Sequence, residues 1–331
     1  MITCRMADNK TTENPDLSIA VLIPCYNAET YLAECLDSAL RQTYPQIEIF
    51  CCDDGSTDGT RRMLAEYAAR YPNIHVTAQE NRGVSATRNR LMDELPEDID
   101  AFAFLDADDT VAPEAYATLA EALVRTDADV AEMGGPPGGR VIDDMSVFLL
   151  RQTAFGAWIN CWNKLYRRSA VGNVRFRFGL SFEEDFFFNY EVNAKIRRKV
   201  LVPGKFYAYR NNPHSATSAQ DPGRYLESVM ARIRLSSVEF LEAGRIPIEK
   251  REAFRRELAK DAYRMCIRKN LKKNRDARRR RELFLRASNF FAVMEREHGF
   301  KPIGLNPMQR LLYACCRHRL YACAKMLVAL T

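Results

Sequence analysis

The first hundred residues alternate between short apolar runs and longer amphipathic stretches. Ser18-Ile19-Ala20-Val21-Leu22-Ile23 is a continuous apolar run with β-branched residues, the pattern of a strand buried on both faces. Over residues 28–42, Tyr31, Leu32, Cys35, Leu36, Ala39 and Leu40 recur at helical spacing, with Glu29 and Glu34 near the start. Residues 47–52 predict a second strand, 60–70 a helix, 74–77 a third strand, 84–94 a third helix and 101–105 a fourth strand. Strands and helices alternating at this spacing predict an α/β domain built on a mostly parallel sheet flanked by helices.

Polar residues break the pattern at particular places. Pro24 to Asn27, Asp53 to Asp58 and Asp106 to Asp109 each follow a predicted strand directly. Open parallel sheets bind ligands beyond the carboxyl ends of their strands, so the three clusters are expected to share one site. Residues 134–140, Gly-Gly-Pro-Pro-Gly-Gly-Arg, predict a loop that can be neither helix nor central strand. Twelve of the 15 glycines precede residue 225, and beyond it the chain reads as successive helices rich in Arg, Leu, Ala and Glu. The expected organisation is a flexible N-terminus (1–17), a catalytic domain (18–224) and a helical C-terminal region (225–331). The domain divides into a nucleotide-side half (18–110) and an acceptor-side half (111–224).

Charge follows the same division. Residues 1–224 hold 24 basic and 32 acidic side chains, whereas residues 225–331 hold 25 and 11. The whole-chain net charge of +6 therefore describes neither part. An acidic body with a basic tail region argues against a nucleic-acid partner and points the basic region toward an anionic surface. The chain lacks a run of about 18 uncharged apolar residues, and its polar start lacks the apolar core of a signal peptide. The expected location is the cytoplasm, with possible peripheral attachment at the inner face of the membrane. The 10 cysteines include no CxxC pair and read as reduced, small apolar residues.

Three acidic clusters carry candidate chemistry. Asp106-Ala107-Asp108-Asp109 puts three carboxylates at one strand end, an arrangement suited to a hard divalent ion, Mg²⁺ or Mn²⁺, completed by substrate phosphates. Asp53-Asp54 ends another strand, where a carboxylate accepts hydrogen bonds from a base or ribose. Glu183-Glu184-Asp185 precedes three phenylalanines. Neither a GxGxxG nor a GxxxxGK[ST] motif is present, which excludes the common dinucleotide and P-loop readings.

In order and spacing, several of these segments resemble glycosyltransferase family 2. They are Val21-Leu22-Ile23-Pro24-Cys25-Tyr26-Asn27-Ala28-Glu29, Asp53-Asp54-Gly55-Ser56-Thr57-Asp58, Asn81-Arg82-Gly83-Val84-Ser85-Ala86-Thr87-Arg88-Asn89, and Phe104-Leu105-Asp106-Ala107-Asp108-Asp109. The resemblance runs from about residue 18 to 220. It implies a GT-A (Rossmann-like) fold, a nucleotide-sugar donor with UDP favoured, a divalent metal and inversion at the anomeric carbon. Carried onto this sequence, Pro24 and Tyr26 flank the base, Asp54 hydrogen-bonds it, and Asp53 is a weaker neighbour. Arg88 lies by the phosphates, Asp106 faces the ribose and Asp108 ligates Mn²⁺ or Mg²⁺. Asp185, partnered by Glu184, becomes the base for the acceptor hydroxyl. Trp162-Asn163-Lys164-Leu165-Tyr166 continues the resemblance, with Lys164 steadying phosphate or acceptor and Trp162 stacking on a sugar. His214 is a candidate second metal ligand.

The acceptor implied is a surface glycan or lipid-linked glycan. In residues 307–330, Leu312, Cys315, Cys316, Leu320, Cys323, Leu327 and Leu330 share one helical face, opposite Arg310, Arg317, His318 and Lys325. That pattern fits a helix lying on anionic lipid or one packed against protein.

Overall fold

The computed structural model describes residues 16–145, 160–178, 184–210, 212, 222–235, 248–262, 266, 276–299, 305 and 307–324. The chain divides into two compact units. One comprises residues 1–145, 160–178 and 188–212; the other comprises 146–159, 179–187 and 213–331.

The first unit is built on an eight-stranded sheet in the order β3-β2-β1-β4-β8-β6-β9-β7. Its strands are β1 (Ile19–Cys25), β2 (Ile47–Asp54), β3 (Ile74–Gln79), β4 (Ala101–Phe104), β6 (Val130–Gly135), β7 (Arg140–Ile142), β8 (Lys164–Arg167) and β9 (Lys199–Pro203). A separate ribbon pairs β5 (Thr110–Val111) with β10 (Tyr207–Ala208). β1 to β4 are mutually parallel through β2-β3, β1-β2 and β1-β4. The late strand β8 then enters antiparallel to both β4 and β6. The crossovers are α1 (Leu32–Leu40), α2 (Thr60–Arg70) and α3 (Val84–Asp93), while α4 (Ala115–Arg125) leads to β6. This is the mostly parallel, helix-flanked sheet that the periodicity predicts.

Strand side chains alternate between the two faces. Ile19, Val21, Ile23 and Cys25 of β1, Ala101 and Ala103 of β4, Ala131 and Met133 of β6, Leu165 of β8 and Val200 and Val202 of β9 enter one apolar core. Leu32, Cys35 and Leu36 of α1 and Leu119 and Leu123 of α4 join them there. The intervening residues face the other way. Phe102, Phe104 and Tyr166 interlock there with Phe176 and with Phe188 of the helix Glu184–Lys195.

One expectation is corrected here. Gly134 and Gly135 end β6, a strand flanked on both sides, only residues 136–139 turn, and Arg140 opens β7. The register slips between Met133 and Gly135, and Gly134 has φ 86°. A Cβ on Gly135 would stand 2.7 Å from the carbonyl carbon and oxygen of Leu201. Close backbone approach at a bulge therefore selects these glycines, rather than a loop.

The second unit contains the helices Arg251–Ala262, Ala277–His298 and Pro307–Arg317. Asp276 caps the longest by accepting from the Arg278 and Arg279 amides, at 2.7 and 3.2 Å. The last of these helices ends at Arg317, earlier than the apolar repeat predicts, and Arg319 turns with φ 56°. Its apolar face is already covered within the unit: Cys316 meets Ser288, and Tyr313 packs edge-on against Phe291. Leu320 and Cys323 are exposed, and Leu327 and Leu330 lie outside the described residues. Among the described residues no helix is long and apolar enough to cross a membrane.

Candidate active site

Register brings the polar strand ends level. Cys25 pairs with Asp53, and Asp53 with Ala78. On the other side of β1, Leu22 pairs with Phe104, so two residues further along Pro24 lies level with Asp106. Three chain segments distant in sequence therefore meet at one carboxyl edge.

The loops after β1 and β2 are laced together. The Asn27 amide donates to Ser56 Oγ at 3.0 Å, and Asn27 Oδ1 accepts from the Thr57 amide at 2.8 Å. The Ala28 amide donates to Thr60 Oγ1 at 2.8 Å, the Glu29 amide to Asp58 at 3.1 Å, and the Gly59 amide to Glu29 at 2.9 Å. Asn27 holds φ 48°, a conformation its short polar side chain tolerates. Beside this lacing, Tyr26 stands 51% exposed, an aromatic face open at the end of β1.

Asp53 and Asp54 are buried inside the edge. Asp53 accepts from the Ser56 amide at 3.1 Å and from Arg61 Nε at 2.9 Å. Asp54, 3% exposed, accepts from Gln79 Nε2 at 2.7 Å, the Arg82 amide at 2.9 Å and the Gly83 amide at 2.8 Å. The pair thus organises the turn after β2 and the entry to α3. Gly55 is obligatory there, since it has φ +74° and a Cβ would lie 2.7 Å from the Asn81 amide nitrogen.

The three carboxylates after β4 have separate partners. Asp106 Oδ1 accepts from Arg88 Nη2 at 2.9 Å. Arg88 is only 4% exposed, and its guanidinium lies 5.2 Å from the Phe176 ring centroid and 5.9 Å from that of Phe104. Asp109 accepts from the Tyr207 hydroxyl at 2.6 Å and the Arg210 amide at 2.7 Å. Burial pushes Asp109 up to about 6 despite those two bonds, and the charges of Asp106 and Asp108 add to the rise. Asp108 accepts from Asn212 Nδ2 at 2.9 Å, and its carboxylate meets no cationic side chain among the described residues. That half-exposed oxygen pair suits a hard divalent ion. No group of three His, Cys, Asp or Glu residues forms a metal cage among the described residues.

Tyr207, Arg210 and Asn212 strap this turn from the far end of the unit, and nothing in the sequence marks the contact. Tyr207 also stacks on Trp162 at 4.1 Å, and Arg210 lies 4.7 Å from the Tyr31 ring centroid and pairs with Glu34. Lys164, which the resemblance assigns to phosphate or acceptor, lies inside the sheet. It is fully buried, donates to Asn163 Oδ1 at 2.7 Å and to the Asn160 carbonyl, and lies 3.8 Å from Glu132. Lys199, equally buried, donates to Glu132 at 2.8 Å. Burial pulls the Lys199 ammonium below its ordinary value, and Glu132 opposes that pull.

Glu184 and Asp185 occupy the first turn of their helix. From Phe188 on, the same helix belongs to the first unit, where Phe188 stacks on Phe176 at 4.2 Å and Asn189 and Glu191 find partners. Asn189 Oδ1 accepts from the Tyr166 hydroxyl at 2.8 Å, and Glu191 accepts from Arg177 at 2.6 Å. His214 lies outside the described residues.

Residues 20–180 match the model of a family described as glycosyl transferase family 2. Over those residues the chain carries a glycosyl transferase family 2 domain. The chain is 31% identical over 216 residues to glycosyltransferase GlyA of Streptococcus pneumoniae serotype 4, covering 59% of this chain and 31% of that protein. It is 30% identical over 219 residues to the uncharacterized glycosyltransferase EpsJ of Bacillus subtilis, covering 60% of this chain and 62% of the relative. The chain thus spans about one to two thirds of the length of these curated relatives. The S. aureus TarS structure in complex with UDP-GlcNAc superposes with a TM-score of 0.69 at 21% identity, over 95% of this chain and 91% of that one. This likeness establishes the GT-A fold.

Proposed function

We propose that the chain is an inverting glycosyltransferase that moves a sugar from a nucleotide diphosphate sugar, a UDP-sugar, to a hydroxyl of a surface-glycan acceptor. One observation carries this reading. In a family 2 domain, the exposed ring of Tyr26, the loop organised by Asp53 and Asp54, and the Asp106 to Asp109 turn meet at one carboxyl edge. The UDP-GlcNAc complex of the TarS neighbour favours a UDP-sugar donor. The names of the GlyA and EpsJ relatives favour transfer.

Tyr26 and Pro24 flank the base. Asp54 acts by presenting the Arg82-Gly83 turn, and Asp53 by fixing the turn at Ser56. Arg88 orients Asp106 toward the ribose. Asp108 would hold Mn²⁺ or Mg²⁺, which neutralises charge on the departing diphosphate when bound. Asp185, partnered by Glu184, removes the proton from the acceptor hydroxyl. The freed oxygen attacks the anomeric carbon opposite the leaving diphosphate, which inverts the configuration. Residues 225–331 hold the protein at an anionic membrane surface by charge, close to a lipid-linked acceptor.

A screen of nucleotide-sugar hydrolysis with Mn²⁺ and Mg²⁺ tests class and donor together. Turnover of a UDP-sugar is the expected result, whereas UDP binding without turnover of any donor would favour a catalytically silent scaffold. Asp185→Asn should lower turnover by on the order of 10²–10⁴-fold, the span of a lost general base. Asp108→Ala should abolish the metal dependence. Full activity in both variants would refute the mechanism.

A further inference from the structure

The helix that begins with Glu184-Asp185 is fastened within the first unit at Phe188, Asn189 and Glu191, described above, and at Lys195, which donates to Asn173 at 2.8 Å. Two of these ties come from the short segment Phe176-Arg177: the Phe176 ring stacks on Phe188 with 3° between planes, and Arg177 grips Glu191. That segment belongs to no helix or strand. An irregular segment holds a neighbour in register only if its own backbone is fixed.

Asn89 fixes it. Its Nδ2 donates to the Phe176 carbonyl at 2.8 Å, and its Oδ1 accepts from the Phe176 amide at 2.7 Å. One buried side-chain amide thus satisfies both polar groups of one residue, as a neighbouring strand would. Arg175 adds a second tie to α3 through Asp93, at 2.8 Å. The adjacent Arg88 lies 5.2 Å from the same Phe176 ring centroid while bonding Asp106. Consecutive residues of α3 therefore address both the carboxylate after β4 and the support of the Glu184–Lys195 helix.

We propose that Asn89 is a positioning residue: through Phe176 it sets the register of the helix carrying Glu184 and Asp185. It touches neither donor nor acceptor. The functional half of this inference rests on the proposed role of Asp185, and the structural half does not.

The test compares wild type, Asn89→Ala and Phe176→Leu by amide hydrogen exchange, with UDP binding and UDP-GlcNAc hydrolysis measured alongside. Asn89→Ala should speed exchange in residues 184–195 and leave α1 and α4, on the opposite face, unchanged. Phe176→Leu keeps the backbone clamp but removes the ring stack, so it should loosen the same helix and serves if Asn89→Ala folds poorly. Hydrolysis should fall on the order of 10–100-fold, as expected for a small misplacement of a reacting group, with Kd for UDP within about twofold of wild type. Unchanged exchange in residues 184–195 in both variants would overturn the clamp. Loosened exchange with unchanged hydrolysis, or with a matching loss of UDP binding, would overturn its positioning role. A wild-type protein that turns over no nucleotide sugar would count against the proposed function alone, since the exchange result still judges the clamp.

Discussion

On the face of the sheet packed by α1 and α4, the strands present the apolar side chains Val21, Ile23, Ala103, Met133 and Val200. On the other face the same strands present Phe102, Phe104, Glu132, Lys164, Tyr166 and Lys199, and the helices over them contribute Arg88, Asn89 and Asn189. An apolar layer is held by area, which is non-directional and tolerates small slips. A layer of hydrogen bonds and stacked rings is held by angle and distance, and it fails when one member moves. Arg88, with Phe188 and Asn189 of the helix Glu184–Lys195, sits on that second face.

The largest test of this contrast is at Glu132. Glu132→Leu removes the carboxylate that faces both buried ammonium groups and should cost about 3–5 kcal/mol. Replacing all three charges, Glu132→Leu with Lys164→Met and Lys199→Met, should restore chemical-denaturation stability to near wild type. If the triple variant were as unstable as the single one, the cluster would be held by something other than its charge balance. A smaller effect is expected on the apolar face. Ile23→Val should cost about 0.5–1.5 kcal/mol, with activity at permissive temperature unaltered although residue 23 is one position from Pro24.

The smallest is a slope with pH. The folded-state value of Asp109 is raised to about 6, against about 3.9 unfolded. Between these values the folded state binds more protons, so stability should decline as pH rises from about 4 to about 6 and level off above. Asp109→Asn should remove that component from the unfolding curves, while the remaining carboxylates keep theirs.

Much of the fold was legible because strand and helix periods differ, and β1 to β4 with α1 to α3 fall where the spacing predicts. The end of β2 was less so: the strand predicted over 47–52 runs on through Asp53 and Asp54, whose carboxylates are satisfied by backbone amides and, at Asp53, by Arg61. Lys164 and Glu132 were illegible for a related reason. A charge in a strand reads as a solvent-facing position, and only the pairing of β6 with β8 reveals its buried counterpart. Nor could the sequence anticipate the antiparallel insertion of β8, which depends on partners more than 30 residues away, or the strap from Tyr207, Arg210 and Asn212. Motif residues at strand ends carried their signal locally; residues that act by holding others carried none.

The lacing between the loops after β1 and β2 has a kinetic consequence. Its amides and carboxylates are already paired, so an arriving nucleotide meets a surface in its final shape and little chain must be ordered on contact. Association with UDP should therefore follow a single exponential whose rate grows linearly with ligand concentration, without the plateau that a slow rearrangement imposes. Cutting the lace at Asn27, with Asn27→Ala, should introduce that plateau.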